Sequence, residues 1–326
     1  MIKYNEINEI LIKNGEKIMN NFQLIVNEVK KAVNGKDRAI VTSLLAILAN
    51  GNILIEDIPG VGKTTMAVAF SKALGLKYNR VQFTPDTLPS DITGFAVYNK
   101  DSGKITFSKG AIFCNLFLAD ELNRTSSRTQ AALLEAMEEH QVTVEGCSYP
   151  LERPFSVIAT QNPAGASGTQ LLPDSQTDRF MVKISMGYPD NESECKMLLN
   201  RSHTNPLDDV NCVVTREQLV EMQNGVKEVF VKREIAEYIV SLVSATRKSN
   251  LIQRGASPRA TLSLTDMAKS AAYAAGKDYV TPQDIQNVFL PTLGHRIILS
   301  SESVSRHLNS EQVLKHIMSK VRAPRI

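Results

Sequence analysis

Up to about residue 190 the chain alternates short, nearly all-apolar runs with longer stretches whose apolar positions recur every three to four residues. The runs at Asn52–Glu56, Arg80–Phe83, Asn115–Asp120, Phe155–Thr160 and Met181–Ser185 are bounded by turn residues. They predict strands of a parallel sheet covered on both faces. Helices are predicted between them, over Lys36–Ala49, Thr64–Leu74 and Arg128–His140. In the last of these Ala132, Leu133, Ala136 and Met137 share one helical face. Strand alternating with helix means an α/β unit. Beyond Asp190 the strand pattern ends, and Glu192–Asn200, Thr215–Asn224, Lys232–Arg247, Pro258–Ala275 and Pro282–Phe289 all predict helices. Proline near the first helical position of two of them costs no hydrogen bond. The expected division is an α/β core over residues 1–190, with a short N-terminal helical segment, and a smaller all-α unit over 191–326.

Two stretches do not fit a plain strand–helix–strand unit. Gly94–Phe107 reads as a hairpin turning at Asp101-Ser102-Gly103, and Gln141–Pro150 as a second one turning at Glu145-Gly146.

Composition narrows the classes. The 326 residues are 43% apolar, too many for a disordered chain. The 37 basic and 34 acidic residues leave +3, too even for whole-chain attraction to nucleic acid or anionic lipid. Cys114, Cys147, Cys195 and Cys212 lie far apart, which suggests a reduced, cytoplasmic protein without a zinc or redox motif. The first residues lack the basic-then-apolar design of a signal peptide. Ala39–Ile55, the nearest thing to a membrane span, is broken by Thr42, Ser43, Asn50, Gly51 and Asn52. It falls short of the ~18 apolar residues a span requires.

The strongest chemical signal follows the first predicted strand: Asp57-Ile58-Pro59-Gly60-Val61-Gly62-Lys63-Thr64-Thr65. A phosphate-binding loop reads glycine, four residues, then Gly-Lys-Thr/Ser. Here Asp57 stands where the first glycine belongs, at a position expected mainly to set the turn into the loop. The small residues let backbone N–H groups wrap phosphates, and the following helix contributes its positive end. Lys63 fits the β- and γ-phosphates and the Thr64 hydroxyl fits Mg²⁺. The run Leu116-Phe117-Leu118-Ala119 delivers Asp120 and Glu121 to the carboxyl end of a strand, where such sheets bind ligands. The first carboxylate suits the metal, and the second suits activation of an attacking water. A further strand delivers Asn162 to the same edge, where it could orient water or the γ-phosphate.

Taken in order, these elements resemble an AAA+ ATPase, and the MoxR family most closely. The resemblance is carried by Phe83–Gly94, Ala119–Arg124, Gln130–Glu139, Ala159–Pro163 and Gly255–Ala260, and it runs from about residue 22 to the C-terminus. It implies a P-loop core with a five-stranded parallel sheet and hairpin inserts, followed by a helical lid. Lys63 and Thr64 then resemble the Walker A pair, Asp120 and Glu121 the Walker B pair, and Asn162 sensor 1. Arg179 resembles an arginine finger that reaches a neighbouring subunit's nucleotide. Arg259 resembles sensor 2 on the lid, acting in cis or in trans. Val33-Asn34-Gly35-Lys36 is similar to the family's stretch beside the adenine. The hairpins resemble the helix-2 and pre-sensor-1 inserts of the clade that also holds magnesium chelatase and replicative helicases. Either Arg124 or Arg128 is a further candidate for a neighbour's nucleotide.

The resemblance implies Mg²⁺-dependent ATP hydrolysis by a homo-oligomer, a hexameric ring, that remodels or matures protein clients. Partners with a von Willebrand factor A domain often accompany such proteins. The alternatives are a magnesium-chelatase-like subunit, a nucleotide-switched scaffold with little turnover, and a nucleic-acid motor. Charge argues against the last: the second hairpin has no Lys or Arg at its tip, and the first offers Lys100 and Lys104 against Asp101.

Overall fold

Leu116 and Leu118 face one side of the central sheet while Phe117 and Ala119 face the other, and all four are fully buried. That alternation on a wholly apolar strand is what a sheet covered on both faces demands. A computed structural model describes residues 4–99, 104–163, 171–188, 191–192, 194–195 and 205–325. Its main sheet comprises β1 (Ile53–Glu56), β2 (Tyr78–Gln82), β5 (Leu116–Asp120), β8 (Ser156–Gln161) and β9 (Val182–Ile184) in the order β2-β5-β8-β1-β9. Every pairing is parallel, with Ile53 opposite both Ile158 and Val182 and Gln82 opposite Asp120. Parallel register gathers the carboxyl ends of all five strands on one edge.

The first helices are α1 (Tyr4–Ala32), α2 (Asp37–Leu48) and α3 (Lys63–Ala73). The expected short N-terminal segment is thus a helix of 29 residues. Ile18, Phe22, Ile25, Val26 and Val29 recur at helical spacing and pack the second half of this helix, with Val33 just beyond it, against the core. Helix α4 (Pro89–Thr93) leads into the first hairpin, β3 (Gly94–Asn99) and β4 (Lys104–Lys109), whose expected turn lies outside the described residues. Helix α5 (Ser127–Glu139) precedes the second hairpin, β6 (Gln141–Val144) and β7 (Cys147–Pro150). Glu145 and Gly146 turn this hairpin with φ of 50° and 75°, the paired left-handed conformation that matches strand twist. The ring of Phe107 stacks on Tyr149 at 3.9 Å and joins the two hairpins.

After residue 205 the chain is mainly helical: Arg216–Glu228, Arg233–Lys248, Pro258–Ala274, Pro282–Leu293 and Ser310–Lys320. Ile235, Tyr238, Ile239, Leu242, Val243 and Thr246 form the buried stripe of the second of these. One small ribbon, β10 (Ile252–Arg254) with β11 (Ile298–Leu299), interrupts the helices; strands this short carry no readable period. The predicted helix Glu192–Asn200 falls largely outside the described residues.

The lid is not an appendage. Its Leu219, Ile235, Leu264 and Phe289 belong to the same buried cluster as Ile40, Leu44 and Ile53. Gln223 Nε2 donates to Ile47 O at 2.8 Å, and Ser270 Oγ donates to Leu45 O at 2.7 Å. Both bonds reach carbonyls in the last turn of α2 that also accept the backbone N–H groups of Ala49 and Asn50, so the lid adds a second donor to each. No helix among the described residues is long and apolar enough to cross a membrane.

Candidate functional site

The carboxyl ends of β1, β5 and β8 open into a cavity of about 310 Å³ lined by Pro59, Gly60, Gly62, Lys63, Thr64, Thr65, Arg80, Gln82, Asp120, Glu121 and Asn162. Gly60 and Gly62 take φ of 86° and 96°, left-handed values that a side chain would strain. Gly62 caps α3, whose N-terminus therefore points its free N–H groups at the cavity. Lys63 is buried, and its Nζ donates to Asp57 O at 2.7 Å. Burial lowers its pKa, against the upward pull of Asp120, Asp57 and Glu121.

Asp57 does more than set a turn. Its Oδ2 accepts from the backbone N–H groups of Met186 at 2.6 Å and Gly187 at 2.7 Å, and from the Ser185 hydroxyl at 3.0 Å. Burial would raise its pKa, but these bonds outweigh that and hold the carboxyl below its ordinary value. Lys36 Nζ donates to Gly187 O at 2.9 Å, so the segment before α2 grips the same backbone. An Asp in place of the first glycine thus ties the phosphate-type loop to the chain leaving β9.

Asp120 and Glu121 are separated by their backbone. Asp120 extends along β5, where Oδ1 accepts from Thr160 Oγ1 at 2.6 Å and Oδ2 from Arg80 Nη2 at 2.7 Å. Glu121 turns away at φ 57°, and its N–H donates to the same Thr160 oxygen at 2.8 Å. One hydroxyl therefore fixes both carboxylates. Glu121 Oε2 accepts from Arg124 Nη1 at 2.7 Å, and Oε1 from Asn162 Nδ2 at 3.4 Å. The Arg124 bond is the main reason its carboxyl lies below the ordinary range. Asn162 is held in turn by Asn123, whose Oδ1 accepts from its N–H at 3.3 Å.

The remaining candidates lie elsewhere. Val33 is buried in the core, and Gly35, at φ 69°, turns the chain from α1 to α2. Neither lines the cavity. Arg179 and Arg259 do not line it either; both pair with Glu138 near the end of α5. Thr160, Arg80, Asn123, Glu138 and the anchoring role of Asp57 escape sequence reading, because each depends on a partner far away in the chain. The donor set fits a nucleotide with a hard divalent cation: a lysine and helix N–H groups for phosphate, hydroxyl and carboxylate oxygens for the metal. Among the described residues no cluster of His, Cys, Asp or Glu forms a separate metal site.

Residues 52–182 match the model of the ATPase family associated with various cellular activities, and residues 244–317 match the AAA lid domain. The chain is 35% identical to Chaperone MoxR1 of Mycobacterium tuberculosis over 92% of its own length and 81% of that protein's. The chain belongs to the MoxR family of AAA+ ATPases. It is also 42% identical to the uncharacterized protein YeaC of Bacillus subtilis, over 92% of this chain and 93% of that one. The crystal structure of an inferred ATPase from Cytophaga hutchinsonii superimposes with a TM-score of 0.89 at 37% identity, covering 98% of this chain and 99% of that one. The MoxR-family core and lid therefore extend across nearly the whole chain.

Proposed function

We propose that this MoxR-family protein is a Mg²⁺-dependent ATPase that works as a homo-oligomeric ring, taken as hexameric, and couples hydrolysis to remodelling of protein clients. The observation that carries the reading is the convergence of Lys63, Thr64, Asp120, Glu121 and Asn162 on one cavity. Lys63 and the loop from Pro59 through Thr65 would hold the phosphates. Thr64 and Asp120 would hold Mg²⁺, which supplies charge neutralisation at the β- and γ-phosphates. Glu121 would take a proton from the attacking water, with Asn162 orienting it. A carboxyl with a lowered pKa is ionised at neutral pH, as a base must be.

Oligomerisation is supported by the arginines. Arg179 and Arg259 lie together, away from their own chain's cavity, as expected of groups that serve a neighbouring copy's nucleotide. Arg124, engaged with Glu121 of its own chain, is assigned a role in cis. The chaperone name of the mycobacterial relative supports a protein client, such as one bearing a von Willebrand factor A domain. The unpaired cysteines suit a reducing compartment, and we assign the protein to the cytoplasm.

Phosphate release and nucleotide binding, measured side by side, test the reading. Arg179→Ala should keep ATP binding and lose on the order of 10³-fold in turnover or more. Glu121→Gln should bind ATP and stall. Wild-type turnover in either variant removes the role given to that residue.

A further inference from the structure

Glu138 belongs to none of the nucleotide motifs, yet its two carboxylate oxygens are divided between two arginines. Oε2 lies 3.1 Å from Arg179 Nη1, and Oε1 accepts from Arg259 Nη2. These arginines come from separate parts of the fold, one in the turn before β9 and the other in the first turn of the lid helix Pro258–Ala274. Two like charges on long, rotamer-rich side chains do not settle side by side unaided; the anion between them makes the arrangement favourable, with Asp178 Oδ2 a further 3.9 Å from Arg259 Nη1. A guanidinium carries five donors in a fixed plane, and Glu138 engages one nitrogen of each. Arg179 Nε is buried with no hydrogen-bond partner, so this side chain is not saturated by its own subunit. The side chains of Arg179, Glu138 and Arg259 are 31%, 33% and 46% exposed, leaving the group open to an approaching ligand.

The geometry points to Glu138 as a positioning residue that sets the spacing and orientation of Arg179 and Arg259, making them a two-pronged receptor for the terminal phosphate of a nucleotide held by a second copy of this chain. Planar N–H forks suit phosphate oxygens as well as carboxylate oxygens, so the donors that Glu138 leaves unused keep the same chemistry. This rests on the reading of Arg179 as a group acting on a neighbour's nucleotide, and adds to it the side chain that aims both arginines.

Steady-state turnover and ATP affinity of the full-length protein test it through Glu138→Ala and Glu138→Gln. A displacement of about 1 Å costs roughly 10²-fold in turnover. Glu138→Ala should therefore lose about 10- to 100-fold in kcat while its Kd for ATP stays within about threefold of wild type. Glu138→Gln, which keeps the volume and one acceptor oxygen, should fall between the two. In an Arg179→Ala background the substitution should cost clearly less than it does alone, because one of the two groups it aims is gone. If both Glu138 variants turn over like wild type while Arg179→Ala collapses, Glu138 has no positioning role and the arginine reading stands. Parallel loss of ATP binding and turnover, or an undiminished effect without Arg179, would show a general structural role and overturn the proposal. If Arg179→Ala itself keeps wild-type turnover, the underlying reading fails and this proposal falls with it.

Discussion

Arg296 Nε donates to Asp178 Oδ1 at 2.9 Å and fastens the end of a lid helix to the turn that carries Arg179. The same guanidinium donates to the carbonyls of Asp178, Phe180, Met181 and Thr292 and to Ser263 Oγ. Its side chain is 1% exposed, and burial pulls its pKa down to about 10 against the opposing pull of Asp178. A buried charge is tolerable when its donors are satisfied, and nearly all of these are.

Removing that guanidinium leaves a carboxylate and several carbonyls without their donor. Arg296→Ala should destabilise the protein by about 3–5 kcal/mol, the usual consequence of breaking a buried pair from one side. Urea unfolding followed by circular dichroism measures it. A midpoint equal to wild type would mean that the bonds hold nothing in place.

Asp57 offers a sharper test, because glycine at that position would restore the stricter phosphate-loop pattern. Asp57→Gly would strand the N–H group of buried Met186, at about 1–3 kcal/mol, and that of half-buried Gly187. We expect ATP affinity to fall about tenfold or more in calorimetric titration, since 1.4 kcal/mol is already a factor of ten. Binding at or above wild-type strength would show the loop to be independent of the chain after β9.

Thr160 holds Asp120 and Glu121 at once. Thr160→Val keeps the shape and removes only the hydroxyl. Losses of about 10- to 100-fold are usual when the partner of a metal ligand is removed, and we expect that loss in Mg²⁺-dependent turnover. Raising Mg²⁺ should recover part of it; turnover unchanged at limiting Mg²⁺ would dismiss the role.

His295 is half-buried, with Nδ1 shut off from solvent and Nε2 3.0 Å from Phe180 O, and its pKa is pushed well below 6.5 by desolvation first and then by Arg296. The folded protein thus keeps this ring neutral, while the unfolded chain takes up a proton as pH falls through about 6.5. The unfolded state binds more protons there, so stability should decline from about pH 7 towards pH 5. Thermal melting of wild type and His295→Gln across that window measures it. The variant's curve should be flatter, and parallel curves would show that another group is responsible.

Much of this architecture is legible in the chain, since buried strands such as Leu116–Asp120 must be apolar on both faces. The edge strand β2 is read less well. Arg80–Phe83 is the expected run, whereas the strand begins at Tyr78, because Tyr78 and Asn79 are only half-buried and Asn79 breaks the apolar pattern. Helix Ser310–Lys320 goes unread despite the Asn309 cap and the buried Val313, Leu314 and Ile317. In the cavity, the motif residues are readable because phosphate and metal chemistry restrict their types. Their supports are not: Asp57 and Gly187 lie 130 residues apart, and the partner that binds Asp57 is a backbone N–H, which any residue other than proline supplies.

The bonds from Gln223 and Ser270 to the carbonyls of Ile47 and Leu45 acquire a mechanical meaning beside those of Arg296. A lid pinned to α2 at one place and to the turn before β9 at another has no single axle to swing on. Tilting it about either fastening stretches the other. A push delivered to the lid is therefore conducted into the sheet as a turn of the whole body, and the subunit behaves as a lever rather than a hinge.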